Sequence, residues 1–200
     1  MQPDPAPFPG EESWISAAQR GDLDAFNRLV DRHQLVAYNV ALRTLHNAED
    51  AADATQDAFL SAFRAIASFR GSSFRAWLLR IVLNACYDAR RRSMRRPTTS
   101  MDALVEEGGE LPWGDERAPD PEAMSLSRET RTTIEAALGA LPEDQRLTII
   151  LVDIQGLGYE EAAHALDCPI GTVRSRLARG RARMRDELLA SGNLSVREGI

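Results

Sequence analysis

Apolar residues recur at helical spacing along most of the 200-residue chain, and the interruptions divide it. Trp14, Ile15 and Ala18 fall in a short segment that Ser13 can cap, and Gly21–Asp22 breaks it. A second helix is expected from about Asp24, with Phe26, Leu29 and Val30 on one face; the period continues through Val36, Val40 and Leu42. A third runs from Ala48 to Ala67, with Ala51, Ala58, Phe59, Ala62, Phe63 and Ile66 inward. "FRGSS" at Phe69–Ser73 reads as a loop, and a further helix as Phe74 to about Arg92. The period then lapses from Met94 to Ala123, a stretch with four prolines and a Gly-Gly pair. A structureless segment of that length is unusual inside a compact domain, so it reads as a linker. Helices resume near Met124. Pro142 marks a helix start, followed by the apolar stripe Leu147, Ile150, Leu151 and Ile154; "GLG" at Gly156–Gly158 ends it. No strand pattern appears. The expected fold is all-α: a disordered tail (1–12), a helical domain (13–96), a flexible acidic linker (97–123), a second helical domain (124–190) and a tail (191–200).

Tyr159 to Arg185 fits a helix, a tight turn and a second helix. Ala162, Ala163 and Leu166 are the positions where a short helix meets its partner. "DCPI" at Asp167–Ile170 supplies the turn: aspartate tolerates left-handed backbone, and Pro169 stops the first helix. Gly171 or Thr172 is the expected cap of the second. On a helical wheel, Val173, Leu177, Met184 and Leu188 form one buried stripe. Arg174, Arg181 and Arg185 lie on one flank; Arg176, Arg179 and Arg183 lie on the other. Ser175, Ala178 and Ala182, all small, sit opposite the stripe. Such a helix suits the major groove, with a crest that approaches the bases and shoulders that reach the phosphates. A merely solvated face would mix signs, but no acid follows Gly171 until Asp186.

Two features of the first half carry further chemistry. Asp53 and Asp57 sit one helical turn apart with Gln56 beside them. They fit a paired-carboxylate site, a plain solvated face or an acidic docking surface, and no histidine has local spacing to complete a metal site. Downstream, Phe69, Phe74, Trp77 and Tyr87 interleave with Arg70, Arg75, Arg80 and the cluster Arg90, Arg91, Arg92, Arg95 and Arg96. Rings for base stacking with arginines for the backbone are the composition of a single-strand binder. Trp77 also shares an apolar face with Leu78 and Ile81, which is a core reading. Asn84 is either a satisfied core amide or a base reader.

Charge explains how an acidic chain, formally −6, holds a DNA-binding helix. Residues 24–96 carry twelve arginines against seven acids, whereas residues 97–122 carry eight acids and one arginine. The negative total thus averages a basic first domain and an acidic linker. No apolar run approaches the roughly 18–20 residues of a membrane span. The prolines of "MQPDPAPFPG" do not suit an export signal. Cys86 and Cys168, far apart, form no disulfide framework, and a reducing cytoplasm is expected. Nothing suggests a cofactor, metal, small-molecule substrate or catalytic triad, so no enzyme is expected.

Together the motifs resemble those of the extracytoplasmic-function group of bacterial sigma factors. "GDLDAF", "AEDAADATQDAF", "FRGSSFRAWLLRIVLNACYDARRR", "LPEDQR" and "GLGYEEAAHALDCPIGTVRSRLARGRARMRDEL" follow that family's order and spacing. The helix before the turn opens at Gly158, where the family commonly has Ser or Thr. The resemblance implies that Asp53, Gln56 and Asp57 dock on core RNA polymerase. It implies that the segment Phe69–Arg92, with Phe69, Arg70, Phe74, Arg75, Trp77, Arg80, Asn84, Arg90, Arg91 and Arg92, captures the −10 element as single strand. It assigns Thr172, Arg174, Ser175, Arg176, Arg179, Arg181 and Arg183 to the −35 duplex. A linker carrying Glu106, Glu107, Glu110, Asp115 and Glu116 would thread toward the polymerase channel as a polyanion mimic. The implied partners are core RNA polymerase, promoter DNA and an anti-sigma factor. The alternative is a stand-alone helix-turn-helix regulator that binds duplex operator, which needs neither the acidic face nor the arginine–aromatic stretch.

Overall fold

The computed structural model describes residues 10–95 and 121–191, with side chains for all of these except 95 and 121–129. Most of both expected tails and nearly all of the expected acidic linker therefore lie outside the described residues. Among the described residues the chain is helical, without strands.

The first helix, α1 (Glu11–Gln19), starts two residues before Ser13, which was the expected cap. Gly10 opens it with a left-handed backbone (φ 115°), a conformation that glycine adopts without strain, and the Ser13 hydroxyl donates back to the Gly10 carbonyl (2.6 Å). Glu11 and Glu12 in the first turn complement the helix dipole. Glu11 also reaches His33, whose Nε2 lies 2.6 Å from its carboxylate. His33 is buried against the Phe74 ring, and burial lowers its pKa. Asp22 caps α2 (Leu23–Leu45) by accepting from the Ala25 N–H, and Asn47 caps α3 (Ala48–Ala65) by accepting from the Asp50 N–H. A 3₁₀ turn (Ile66–Ser68) and a loop lead to α4 (Phe74–Arg95). Gln19 donates to the Ile66 and Phe69 carbonyls and ties α1 to that loop. Leu29, Val40, Ala51, Ala58, Leu79 and Val82 are fully buried where α2, α3 and α4 meet.

The second half holds α5 (Pro121–Gly139), α6 (Glu143–Ile149), α7 (Tyr159–Ala165) and α8 (Ile170–Ala190). Leu147, Ile150 and Leu151 are buried as the stripe predicts, and Ile154 is half-buried. Between α6 and α7 the helix passes into a π-turn, Ile150–Ile154, that the apolar stripe does not reveal. Helix α8 crosses α6 so closely that a side chain at Gly180 would meet Ile149 Cδ1 at 2.9 Å and Gln145 Cβ at 3.3 Å.

The two halves pack on each other, a relation the sequence does not disclose. One apolar cluster runs from Leu29 and Val40 through Leu83 and Cys86 of α4 to Leu151, Ala162 and Val173. Polar contacts ring this junction: Arg43 with Glu135, Arg75 with Gln155, Arg80 with Asp167, and Arg90 with Glu143.

The Gly180 contact gives a test by denaturant unfolding. An alanine there gains up to about 1 kcal/mol of helix propensity but overfills a closed contact at a cost of roughly 1–3 kcal/mol. Gly180→Ala should therefore lower stability by about 1 kcal/mol, and the β-branched Gly180→Val by more. Gly171→Ala, with nothing within 4 Å of the new Cβ, should be neutral or stabilising. Equal effects at both sites would contradict the close approach.

Candidate nucleic-acid interface

The turn between α7 and α8 is made by Asp167, which takes the left-handed conformation (φ 51°), while the Cys168 N–H returns to the Ala163 carbonyl (3.1 Å). Helix α8 begins one residue before Gly171, the earlier of the two expected caps. Pro169, with extended backbone and no side-chain donor or acceptor, is its N-cap, and the Thr172 N–H bonds the Pro169 carbonyl (2.8 Å). Neither Gly171 nor Thr172 serves as the cap, because proline already fixes the chain at the entry angle. At Gly158, the cap of α7, the missing hydroxyl is partly offset: its N–H donates to Glu161 Oε2 at 3.0 Å.

Val173, Leu177 and Gly180 are buried; Met184 and Leu188 are half-buried. Ser175 and Ala178 are exposed on the far side and Ala182 is half-buried. The arginines differ in their engagements. Arg174 lies over the Tyr159 ring, 6.0 Å from its centre. Arg176 pairs with Asp144 (3.1 Å) and Arg181 with Asp153. Arg179 folds back to the Ser175 carbonyl (3.2 Å). Arg185 meets the neighbouring Asp186. Arg174, Arg179 and Arg183 have no ion-pair partner among the described residues, unlike Arg176, Arg181 and Arg185.

On the first half, burial separates the aromatic candidates. Phe69 and Phe74 are 7% and 3% exposed, with ring centres 5.8 Å apart in an edge-to-face pair, and Trp77 lies half-buried against both. The Phe69 and Phe74 rings thus close the core and are not open to a stacking base, which corrects the composition-based expectation. Arg70 braces the loop by donating to the Ala67 and Phe69 carbonyls (2.8 Å each). Asn84 is exposed, so the core-amide reading does not hold for it. Arg75, Arg80 and Arg90 point into the junction with the second half. Arg91 pairs with Asp88, and Arg92 with Asp57 (3.2 Å), so an exposed arginine of α4 reaches the acidic face of α3.

Asp53, Gln56 and Asp57 are all exposed on α3. Beside them a groove of about 930 Å³ runs between α2 and α3, lined by Leu23, Phe26, Leu35, Phe59, Leu60 and Phe63, with Asp31 and Gln56 in its wall. Phe63 is 38% exposed and packs edge-on against Phe26 (5.0 Å), so it lines this groove and does not enter the core as its spacing suggests. Sequence reading missed the groove; exposed Leu23, Leu35 and Leu60 on otherwise polar faces are its trace. The Cys86 thiol is buried and its pKa pushed up to about 12, which keeps it protonated and unreactive; Cys168 is half-buried. No group of three potential metal-ligating side chains occurs among the described residues, and no described helix is long and apolar enough to cross a membrane.

Two family models match the chain: Sigma-70 region 2 over residues 29–96, and Sigma-70, region 4 over residues 131–184. The chain is similar to the ECF RNA polymerase sigma-E factor of Escherichia coli (strain K12), at 40% identity over 169 residues, 84% of this chain and 88% of that protein. It is also similar to the RNA polymerase sigma-H factor of Pseudomonas aeruginosa, at 37% identity over 175 residues, 86% of this chain and 90% of that protein. Among solved structures it resembles CnrH in complex with the cytosolic domain of CnrY, with a TM-score of 0.65, 29% identity, and 90% of this chain and 98% of that chain covered. It likewise resembles the sigma factor RpoE of Bartonella quintana in complex with the anti-sigma factor NepR, with a TM-score of 0.63, 26% identity, and 84% and 98% covered. Two matched regions in order, a helix-turn-helix with arginine shoulders and relatives matched over most of their length lead to one conclusion: the chain belongs to the extracytoplasmic-function sigma factors, which direct RNA polymerase in transcription initiation.

Proposed function

We propose that this sigma factor divides promoter recognition between its two halves and docks on core RNA polymerase through α3. The observation that carries the reading is the outer face of α8, with small side chains at its crest and arginines on both flanks. That shape lets a helix lie in the major groove of a −35 duplex, with Arg179 reaching toward base edges and its neighbours toward phosphates. On α4, the exposed Asn84 with Arg91 and Arg92, whose ion-pair partners Asp88 and Asp57 lie within the first half, forms the outward part of a −10 single-strand surface. Arg80 and Arg90 reach DNA only when Asp167 and Glu143 of the second half let go of them. Docking falls to Asp53, Gln56 and Asp57, with the adjoining apolar groove accepting the aliphatic side of a basic partner helix. The chain supplies recognition and no catalysis of its own, and it works in the cytoplasm where polymerase is. RpoE was solved with an anti-sigma factor, which supports a partner of that kind here. A stand-alone operator binder would have no use for a region 2 domain, so that reading is not favoured.

Two substitutions test the assignments. Asp53→Arg with Asp57→Arg should abolish binding to core polymerase in a pull-down while leaving the helical circular dichroism unchanged; retained binding would remove α3 from the interface. Arg179→Ala should cost about 1–3 kcal/mol of duplex affinity at the preferred upstream element and relax the preference at one base. A uniform loss across all duplex sequences would instead make Arg179 a phosphate contact.

A further inference from the structure

Asp153 leaves its helix where the helical phase changes. The π-turn closes with the Gln155 N–H on the Ile150 carbonyl, five residues back, at 2.8 Å. The extra residue rotates the downstream chain by about 100° relative to an uninterrupted α-helix. Ile150 and Leu151 stay fully buried, and Asp153 is left facing α8 with 31% of its side chain exposed. Both carboxylate oxygens are taken by one guanidinium: Arg181 Nε donates to Oδ2 at 3.0 Å and Nη2 to Oδ1 at 2.5 Å. Such a fork fixes the plane of the arginine head. It uses two of the five N–H donors; Tyr159 makes a side-chain hydrogen bond to the same guanidinium, so at most two are left for another acceptor. Arg174, two turns earlier on the same flank, rests on Tyr159, and Tyr159 also neighbours Arg181.

The pair adds little as a fastener. Both partners are partly exposed, and exposed ion pairs contribute little to stability. Helices α6 and α8 are already joined by the apolar contacts at Leu177 and Gly180. What the fork supplies is order, because an arginine held in one rotamer has less freedom to lose when it meets a phosphate. Building on the reading of α8 as the duplex reader, we propose that Asp153 is a positioning residue for DNA binding. It holds Arg181 with its free N–H groups turned toward the phosphate backbone beside the recognition helix.

The sign of one substitution separates this role from its opposite. If Asp153 merely sequestered Arg181, removing its charge would free an arginine, take an anion away from DNA and tighten binding. If it positions Arg181, the same change weakens binding. The probe is a mixed-sequence DNA duplex of about 20 base pairs, because phosphate contacts do not depend on sequence, titrated with the full chain from about 50 to 200 mM salt. Arg181→Ala should lower affinity on the order of three- to tenfold near about 0.1 M salt and make the salt slope shallower by about 0.9. Asp153→Asn, nearly isosteric, should weaken binding in the same direction. Asp153→Glu should recover part of the loss, and Asp153→Asn should add nothing in an Arg181→Ala background. Tighter or unchanged binding by Asp153→Asn overturns the proposal, as does an additive loss in the double variant. Arg183→Ala, on a flank arginine assigned to phosphate, separates the two levels. If it also leaves affinity unchanged, α8 does not lie on the duplex; if it weakens binding while Asp153→Asn does not, only the positioning role fails.

Discussion

Helix α4 is the element on which both halves depend. Leu79 and Val82 are buried with α2 and α3, while Leu83 and Cys86 belong to the apolar cluster that continues into Leu151, Ala162 and Val173. Burial of that surface supplies the main driving force for the packed arrangement. The polar contacts around it add direction more than energy, since most are partly exposed. Their direction is uniform: the donors Arg43, Arg75, Arg80 and Arg90 come from the first half, and the acceptors, three carboxylates (Glu135, Asp167, Glu143) and the neutral Gln155 amide, from the second. Three of these arginines, Arg75, Arg80 and Arg90, lie on α4, so its basic face helps hold the second half against it.

The same pairing of opposite charges recurs elsewhere in the described residues. A net charge of −6 does not oppose DNA binding when the acids are placed opposite particular arginines. Asp144 and Asp153 face Arg176 and Arg181 across α8, and Asp57 faces Arg92. Arg174, Arg179 and Arg183 have no ion pair among the described residues. The recognition helix is thus not a uniform cationic rod. Some of its arginines are held by neighbouring acids, and others are not.

Much of the helical layout was legible in the sequence because it depends on local chemistry. Gly21–Asp22 and Asn47 stop and cap helices where periodicity says they should, and Asp167 supplies the left-handed turn that aspartate tolerates. What was not legible depends on tertiary contact. Phe63, Phe69 and Phe74 have the same chemistry, yet one lines a groove and two close the core; spacing alone does not separate them. The π-turn at Ile150–Ile154 has no residue signature, and Gly180 looks like a weak point in a helix until α6 is seen against it. The packing of one half on the other joins surfaces far apart in the chain, beyond the reach of any periodic pattern.

The central claim is that this chain lends promoter specificity to a polymerase through two separate DNA surfaces. The most direct measurement is transcription by purified core RNA polymerase with and without the chain on a genomic DNA template, with the RNA 5′ ends sequenced. The account predicts new starts that share two upstream sequence elements at a fixed spacing, and their loss when either element is scrambled. Starts that match those of core alone, or that share a single element only, would contradict it.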